Sequence, residues 1–371
     1  MAKKKAVRGG KVEAVGSIRK RIDAVDAQLH DLINQRAELA RQVGISKHAQ
    51  GHLVDFYRPE REAEVLRMAL ERNRSGTLRD EEILRLFREI MSACLAQEKP
   101  LKVAYLGPEG TYSQQAVFKQ FGHSVRALAL ASIDEVFQEV QAGNADFGVV
   151  PVENSSEGTV NNTLDRFLTT SLNICGEVEL RVHHNLMSRV KDLSDVKRVC
   201  AHPQALGQCR IWLEEHLAGV DLVPVSSNAE GARRARDEKG TAAVAGDVAA
   251  EVYGLTILAP HIEDYDDNTT RFLVIGNRVP GASGADRTSL LLAGDKAKAG
   301  SLFRLLEPLA KYKINMSRIE SRPSRKIKWD YVFFIDLEGH AEDPPVAKAL
   351  VELKKRSSLY RVLGSYPRAV L

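Results

Sequence analysis

Between Ser17 and Val43 apolar side chains recur at Ile18, Ile22, Val25, Leu29, Leu32, Leu39 and Val43, in steps of four and three broken once. That period is the stripe of one long helix, and such a stripe needs other helices to cover it. The position that continues the stripe between Leu32 and Leu39 is Arg36. A guanidinium cannot shed its charge to ease burial, so Arg36 must meet an anion or snorkel out of the interface.

Two more helices follow. Pro59 suits a first helical turn, and Glu62, Val65, Leu66 and Ala69 carry that helix to about Arg74, before Gly76. Thr77 and Asp80 have capping-box spacing for a third, whose apolar face runs Leu84, Phe87, Met91, Cys94 and then meets Glu98. Lys47 lies in the polar connection between the first two. An interhelical salt bridge would account for Arg36 and Glu98; a pocket for a small polyanion accounts for Lys47 as well. Three such helices make a thin core, so pairing with an identical chain is expected.

The run "IRKRIDAVDAQLHDLINQRAELARQVG", with Lys47 and "YRPERE", resembles the all-helical chorismate mutase domain at the front of bifunctional chorismate mutase/prephenate dehydratases. The resemblance implies an intertwined homodimer in which Arg19 crosses into the neighbour's site and Arg36 is supplied in cis, both against substrate carboxylates. It also implies Lys47 as donor to the ether oxygen, Glu62 on the ring hydroxyl, Arg61 on the carboxylate side, and Glu98 near the same ether oxygen. Cys94 stands where some members have a serine. These residue types suit the rearrangement, which is unimolecular and needs only a held conformer and stabilised charge on the breaking ether bond. Glu98 would have to be protonated to donate; burial favours that form and the nearby cations oppose it.

After Lys99-Pro100 the pattern changes to strand, polar turn and helix, repeated through "LKVAYLG", "ADFGVVPVENSSEG", "VKRVCAHPQAL", "VDLVPVSSNAEGARRA" and "TAAVAGDVAAEVYG". Such units predict open, largely parallel sheets with ligands near the strand ends. "GPEGT" has neither GxGxxG spacing nor a Lys-Ser/Thr ending, which argues against a nucleotide site. Gly107, Gly110 and Thr111 instead suit a tight turn whose amides can receive a carboxylate. In "DDNTTRF" two threonines and an arginine combine hydroxyl donors with a guanidinium, a match to a carboxylate beside a leaving hydroxyl; a cap followed by an exposed arginine is the plain alternative.

The order and spacing of "GPEGTYS", "PVENSSEGTV", "HPQAL" and "NTTRF", from Leu101 to about Gly276, resemble prephenate dehydratase domains. That resemblance implies two lobes around a cleft, with Thr270 catalytic and Arg271 clamping a carboxylate. Thr111, Tyr112, Ser113, Asn154, Ser155 and Glu157 would be pocket walls. His202 is a rival acid, or a brace for the turn before Pro203. His183 and His184 alternate faces and show no carboxylate or cysteine partner at metal spacing; neither reaction needs a metal, and no cofactor is expected.

"GNRVPGASGADR" marks a linker near 280–286. Beyond it the order β-α-β-β-α-β is ferredoxin-like, and its exposed edge predicts pairing with a counterpart. The segment resembles the ACT domain that ends these enzymes and binds phenylalanine. "ESRP" is Glu320, Ser321, Arg322 and Pro323, and the family's "GALH" turn is here Gly300, Ser301, Leu302 and Phe303. The resemblance implies that these residues, Phe303 aside, hold phenylalanine and shift the dehydratase to a less active arrangement; an ACT-like dimerisation domain that binds nothing is the alternative.

The expected organisation is therefore multidomain. A disordered basic tail covers 1–14, an all-α helical mutase domain 15–99, a two-lobed α/β dehydratase domain 101–280, and a ferredoxin-like α+β ACT domain 286–371. The tail holds Lys3, Lys4, Lys5, Arg8 and Lys11 and no acid up to Lys11, so the net charge of +4 leaves a balanced body and gives no case for nucleic acid. No apolar run is long enough for a bilayer, and four cysteines without CxxC spacing suit a reducing, cytoplasmic setting. The expected partners are chorismate, prephenate, phenylalanine and further copies of the chain, in a homodimer or a higher oligomer. Two readings compete: a dehydratase with a purely structural helical arm, and a non-enzymatic two-lobed small-molecule-binding regulatory protein.

Overall fold

The computed structural model describes residues 14–49, 57–97, 99–295, 299–324 and 331–370, with the backbone alone at 47–49. The basic tail, Ala14 apart, lies outside the described residues, as do Glu98 and the side chain of Lys47.

The stripe forms one helix, α1 (Val15–Ala49), of 35 residues, or about 52 Å at the α-helical rise. It packs against α3 (Asp80–Ala96), which in turn pairs with α2 (Pro59–Arg72). Yet the stripe is not covered: its residues from Ile18 to Val43 stand 41–60 % exposed. The expected capping box does not form. Arg79 is the N-cap of α3 without a side-chain bond, and Asp80 instead accepts from Asn73 Nδ2 at 2.7 Å.

The middle of the chain makes two lobes. The first builds β1 (Lys102–Leu106), α4 (Tyr112–Phe121), β2 (Arg126–Leu130), α5 (Ile133–Gln141), β3 (Phe147–Asn154), β4 (Gly158–Thr159), α6 (Asn161–Phe167) and β5 (Asn173–Arg181). The second holds β6 (Asn185–Ser188), β7 (Arg198–Ala201), α7 (Pro203–Gln208), α8 (Arg210–His216), β8 (Asp221–Pro224), α9 (Asn228–Asp237), β9 (Thr241–Ala245), α10 (Asp247–Tyr253) and β10 (Thr256–Ala259). The chain then returns to the first lobe as β11 (Thr269–Gly276), inserted between β3 and β5. Both sheets are mixed rather than largely parallel. β11 runs antiparallel to both neighbours, β6 is antiparallel to β9, and β10 is antiparallel to β6. The reason is the double crossing: a strand that re-enters a sheet from the other lobe need not arrive in the direction a βαβ unit would impose.

The last module adds β12 (Asp286–Ala293), α11 (Ser301–Lys311), β13 (Met316–Pro323), β14 (Tyr331–Glu338), α12 (Pro344–Arg356) and β15 (Leu359–Pro367), in sheet order β13-β14-β12-β15. Its sheet packs directly on the first lobe. Leu291, Val332, Phe334, Leu363 and Tyr366 share one apolar core with Val150, Phe167 and Ile275. Gly364 permits that approach, since a Cβ there would stand 2.2 Å from the Ile174 carbonyl. The helical module docks on the same lobe. Tyr57 packs on Phe121 and Phe147 at ring distances of 5.1 and 5.2 Å, and Arg67 donates to the carbonyls of Ser283 and Ala285 in the linker.

Candidate active sites

The first candidate is a cavity of about 370 Å³ on the helical module, lined by Arg36 from α1, Arg61 and Glu62 from α2, Arg88 and Cys94 from α3, and Tyr57, Leu101 and Phe121. Arg36 is thus where the broken stripe predicts, at a polar wall among apolar ones. Burial pushes the Glu62 carboxyl up to about 7, against the pull of the Arg88 charge and the Tyr57 hydroxyl. Arg61 is exposed and pairs with Glu64 at 2.8 Å. Arg19 stands seventeen residues before Arg36 on the same helix, which is about 25 Å along the axis. It therefore does not reach this cavity within its own chain. Arg88 was missed from sequence, although it follows Leu84 by four on the α3 apolar face and breaks it as Arg36 breaks the first stripe.

The second candidate is the cleft between the lobes, about 620 Å³, lined among others by Thr111, Tyr112, Ser113, Asn154, Glu157 and Thr270. Asn154 sits at the end of β3, opposite Thr270 in the β11 register. Its Oδ1 accepts from the amides of Ser156 and Glu157, each at 3.0 Å, which turns its Nδ2 to Thr270 Oγ1 at 2.8 Å and Asn268 Oδ1 at 2.7 Å. A hydroxyl that accepts from an amide keeps its own proton for another acceptor, so Thr270 can donate into the cleft. Ser155 is not a wall: its hydroxyl donates to the Asp267 carbonyl and accepts from the Thr269 amide, bracing the loop.

Tyr112 opens α4 at the cleft and bonds across it to the other lobe, to the His183 carbonyl at 2.7 Å and His184 Nδ1 at 2.8 Å. Gly246 makes room for this ring, since a Cβ there would stand 2.7 Å from it. His184, held below its usual range by burial, continues to Gln208 at 2.8 Å, and Asn268 reaches the same Gln208 oxygen at 3.3 Å. His184, Gln208 and Asn268 also line the cleft and were not read from sequence. Asn268 had a signal, since it lies two before Thr270 and so on the same strand face. His202 lines the cleft too, and its Nδ1 caps α7 by accepting from the Gln204 amide at 3.3 Å. The amide of Gly110, expected to receive a carboxylate, is taken by Gln114 Oε1 at 2.6 Å.

Arg271 corrects the sequence reading. It is 8 % exposed and points away from the cleft, because successive strand residues face opposite sides. Its guanidinium meets Glu177 at 2.8 Å, Asp336 of the last module at 2.7 Å and the Tyr366 hydroxyl at 3.1 Å. Burial opposes the charge there, but Tyr366, Asp336 and Glu177 outweigh it and hold Arg271 protonated. It is a tie between modules, not a substrate clamp.

His183 also departs from expectation, since it has a carboxylate partner: its Nδ1 meets Glu263 Oε1 at 2.7 Å and its ring stacks on His261 at 4.1 Å. These three lie on the two crossing segments, close enough to hold a metal ion.

On the last module Gly300, at φ 70°, is the N-cap of α11, whose first residues Ser301 and Leu302 lie at the surface. Along β13, Arg318, Glu320 and Arg322 turn to the dehydratase lobe while Ser321 and Pro323 face outward. Glu320 accepts from Thr159, a cleft residue, at 3.0 Å; Arg318 pairs with Glu153 at 3.2 Å, and Arg322 with Asp165 at 3.1 Å. So the Glu320 and Arg322 side chains, expected at a ligand, are engaged by the neighbouring lobe.

The chain matches the family models described as Chorismate mutase type II over residues 18–99, Prephenate dehydratase over 103–280 and ACT domain over 296–355. It is 51 % identical over 359 residues to a bifunctional chorismate mutase/prephenate dehydratase of Stutzerimonas stutzeri, covering 96 % of this chain and 98 % of that one. Its counterpart in Aquifex aeolicus is 44 % identical over 363 residues, covering 97 % and 99 %. A solved prephenate dehydratase from Arthrobacter aurescens in complex with L-Phe is 36 % identical, with a TM-score of 0.67 over 72 % of this chain and 90 % of that one.

Proposed function

Because the chain belongs to the bifunctional chorismate mutase/prephenate dehydratases, and so rearranges chorismate to prephenate and turns prephenate into phenylpyruvate in phenylalanine biosynthesis, we propose that the two cavities run the two steps. The ACT module, on this reading, binds phenylalanine and restrains the second step.

In the helical cavity Arg36, and Arg19 entering from a second copy of the chain, hold the substrate carboxylates, with Arg61 supporting that side of the pocket. Lys47 and Glu98 serve the ether oxygen. As the C–O bond breaks and the new C–C bond forms, negative charge on that oxygen is what the cations stabilise. Glu62 in its ionised form accepts from the ring hydroxyl. The uncovered α1 stripe supports the second copy, since so long an apolar face is stable only when covered.

In the cleft, prephenate lies with its ring hydroxyl at Thr270. The ring carboxylate leaves as carbon dioxide, its bonding pair completes the aromatic ring, and the hydroxyl departs with a proton as water. Thr270 donates a hydrogen bond to that oxygen, and Asn154 fixes its direction. Arg271 stays on the far face, so the carboxylate that must leave is not clamped by it. Thr111, Tyr112, Ser113 and Glu157 close the walls. Ser321, Pro323 and the Gly300–Leu302 turn contribute to the phenylalanine site, with Glu320 and Arg322 linking it to the lobe. Four buried free thiols accord with a reducing, cytoplasmic setting.

The observation that carries the dehydratase assignment is the Asn154–Thr270 bond in the cleft wall. Purified protein given chorismate alone should pass through transient prephenate to phenylpyruvate. Thr270→Val should stop it at prephenate, with turnover down about a hundredfold or more, in the range of a lost transition-state donor. Continued phenylpyruvate formation by that variant would remove Thr270 from the chemistry.

A further inference from the structure

The carboxy-terminal segment reaches the mutase cavity. Past β15 the chain runs onto the helical module, where Arg88 Nη2 donates to the Val370 carbonyl at 2.8 Å. One residue earlier, the Ala369 amide donates to Glu177 Oε1 at 3.3 Å, so the tail is held at two successive positions. Arg88 is 9 % exposed, and its Nε has no hydrogen-bond partner among the described residues. It lines the mutase cavity with Glu62, and also a small cavity behind it, where Glu62 and Arg88 face Glu177 and Pro367–Val370. A buried guanidinium is costly unless an anion or a carbonyl meets it. Here the carbonyl comes from Val370, and Glu62 shares both cavities with Arg88 and feels its charge.

We propose that the carboxy-terminal segment is a working part of the mutase site: the Val370 carbonyl holds Arg88 toward Glu62, and Arg88 keeps Glu62 charged for the ring hydroxyl of chorismate. This rests on the assignment of Glu62 to that hydroxyl. Arg88 acts through Glu62 and is a positioning residue. Among the described residues, the titratable groups that line these two cavities with Glu62 are Arg36 from α1, Tyr57 and Arg58 ahead of α2, Arg61 within it, Arg88 and Cys94 from α3, and Glu177 and Arg368 across the rear cavity. Arg58 is taken by Glu60 at 2.7 Å, Arg61 by Glu64 at 2.8 Å, and Glu177 by Arg271 at 2.8 Å. Arg88 is the cation whose field acts on Glu62 against its burial.

The test compares the intact chain, a chain ending at Pro367, Arg88→Met, Arg88→Lys and Glu62→Gln. The kcat/KM for chorismate is followed against pH, and turnover of prephenate supplied directly checks the rest of the fold. Truncation and Arg88→Met should move the acid limb of the mutase profile up by about one pH unit, with a roughly fivefold loss at pH 7 that recovers in more alkaline buffer. Arg88→Lys keeps the charge and should leave the limb near that of the intact chain. A limb that stays in place in Arg88→Met or in the truncated chain, or a loss equal at every pH, overturns the proposal. Glu62→Gln separates the two layers. Full mutase activity in that variant would sink the Glu62 assignment itself, whereas loss there beside an unmoved limb in the truncated chain sinks only the role of the tail.

Discussion

At the scale of single residues, Thr270 and Arg271 are neighbours in sequence and belong to different parts of the machine. One faces a cleft and the other an ion network between modules, and the alternation of a strand is the reason. Arg271→Met would leave Glu177 and Asp336 buried with fewer partners, and breaking such a group costs about 3–5 kcal/mol. Chemical denaturation should show that loss while KM for prephenate stays within twofold; a large rise in KM would restore the clamp. Glu62 gives a pH signature. Its carboxyl is raised from 4.5 to about 7, so the unfolded chain ionises first as pH rises. Stability from this group is thus full below about 4.5 and is lost up to about 7, by at most about 3 kcal/mol. Glu62→Gln removes that penalty, and its stability relative to the parent chain should be higher at pH 8 than at pH 4.5. An equal difference at both pH values would mean the group is solvated.

At the scale of elements, α1 is the least self-sufficient part of the molecule. Its period was legible at once, because an apolar step of four and three has one structural meaning. What covers it was only implied. A charge at Leu29, which is 50 % exposed, tests this directly. Leu29→Asp should shift sedimentation toward monomer and lower mutase activity at least tenfold, since Arg19 would no longer reach a partner's cavity. A variant that stays associated and active would place the interface elsewhere. β13 was legible as a strand of the ferredoxin-like module, but which of its faces meets the lobe was not. Alternation separates Glu320 and Arg322 from Ser321 without saying which pair faces inward.

At the scale of the whole molecule, the linker composition near 280–286 suggests loosely joined modules, and the structure shows the opposite. The ACT sheet and the first lobe share a core, and the linker itself is pinned by Arg67. Three charged residues join β13 to the lobe, and two of them, Arg318 and Glu320, bond around Glu153 and Thr159, the latter in the cleft lining. The third, Arg322, bonds Asn161 and Asp165 on α6, away from the cleft lining. Asp165→Asn should therefore raise the phenylalanine concentration for half-inhibition several-fold with uninhibited KM unchanged. An unaltered inhibition curve would mean that the signal does not pass through α6.

The sequence by itself determined what local rules decide: the long helix and its broken stripe, the strand-turn-helix units and the β-α-β-β-α-β order; Asn154 and Thr270 were marked by the resemblance of their motifs. Only the tertiary structure decided which way Arg271 faces, that Glu263 from the second crossing segment meets His183, and that Val370 bonds to a helical arginine 282 positions earlier. The reason is physical. Periodicity and turn chemistry are set by neighbours within a few residues, whereas the partner of a buried charge is set by which distant surfaces the fold presses together.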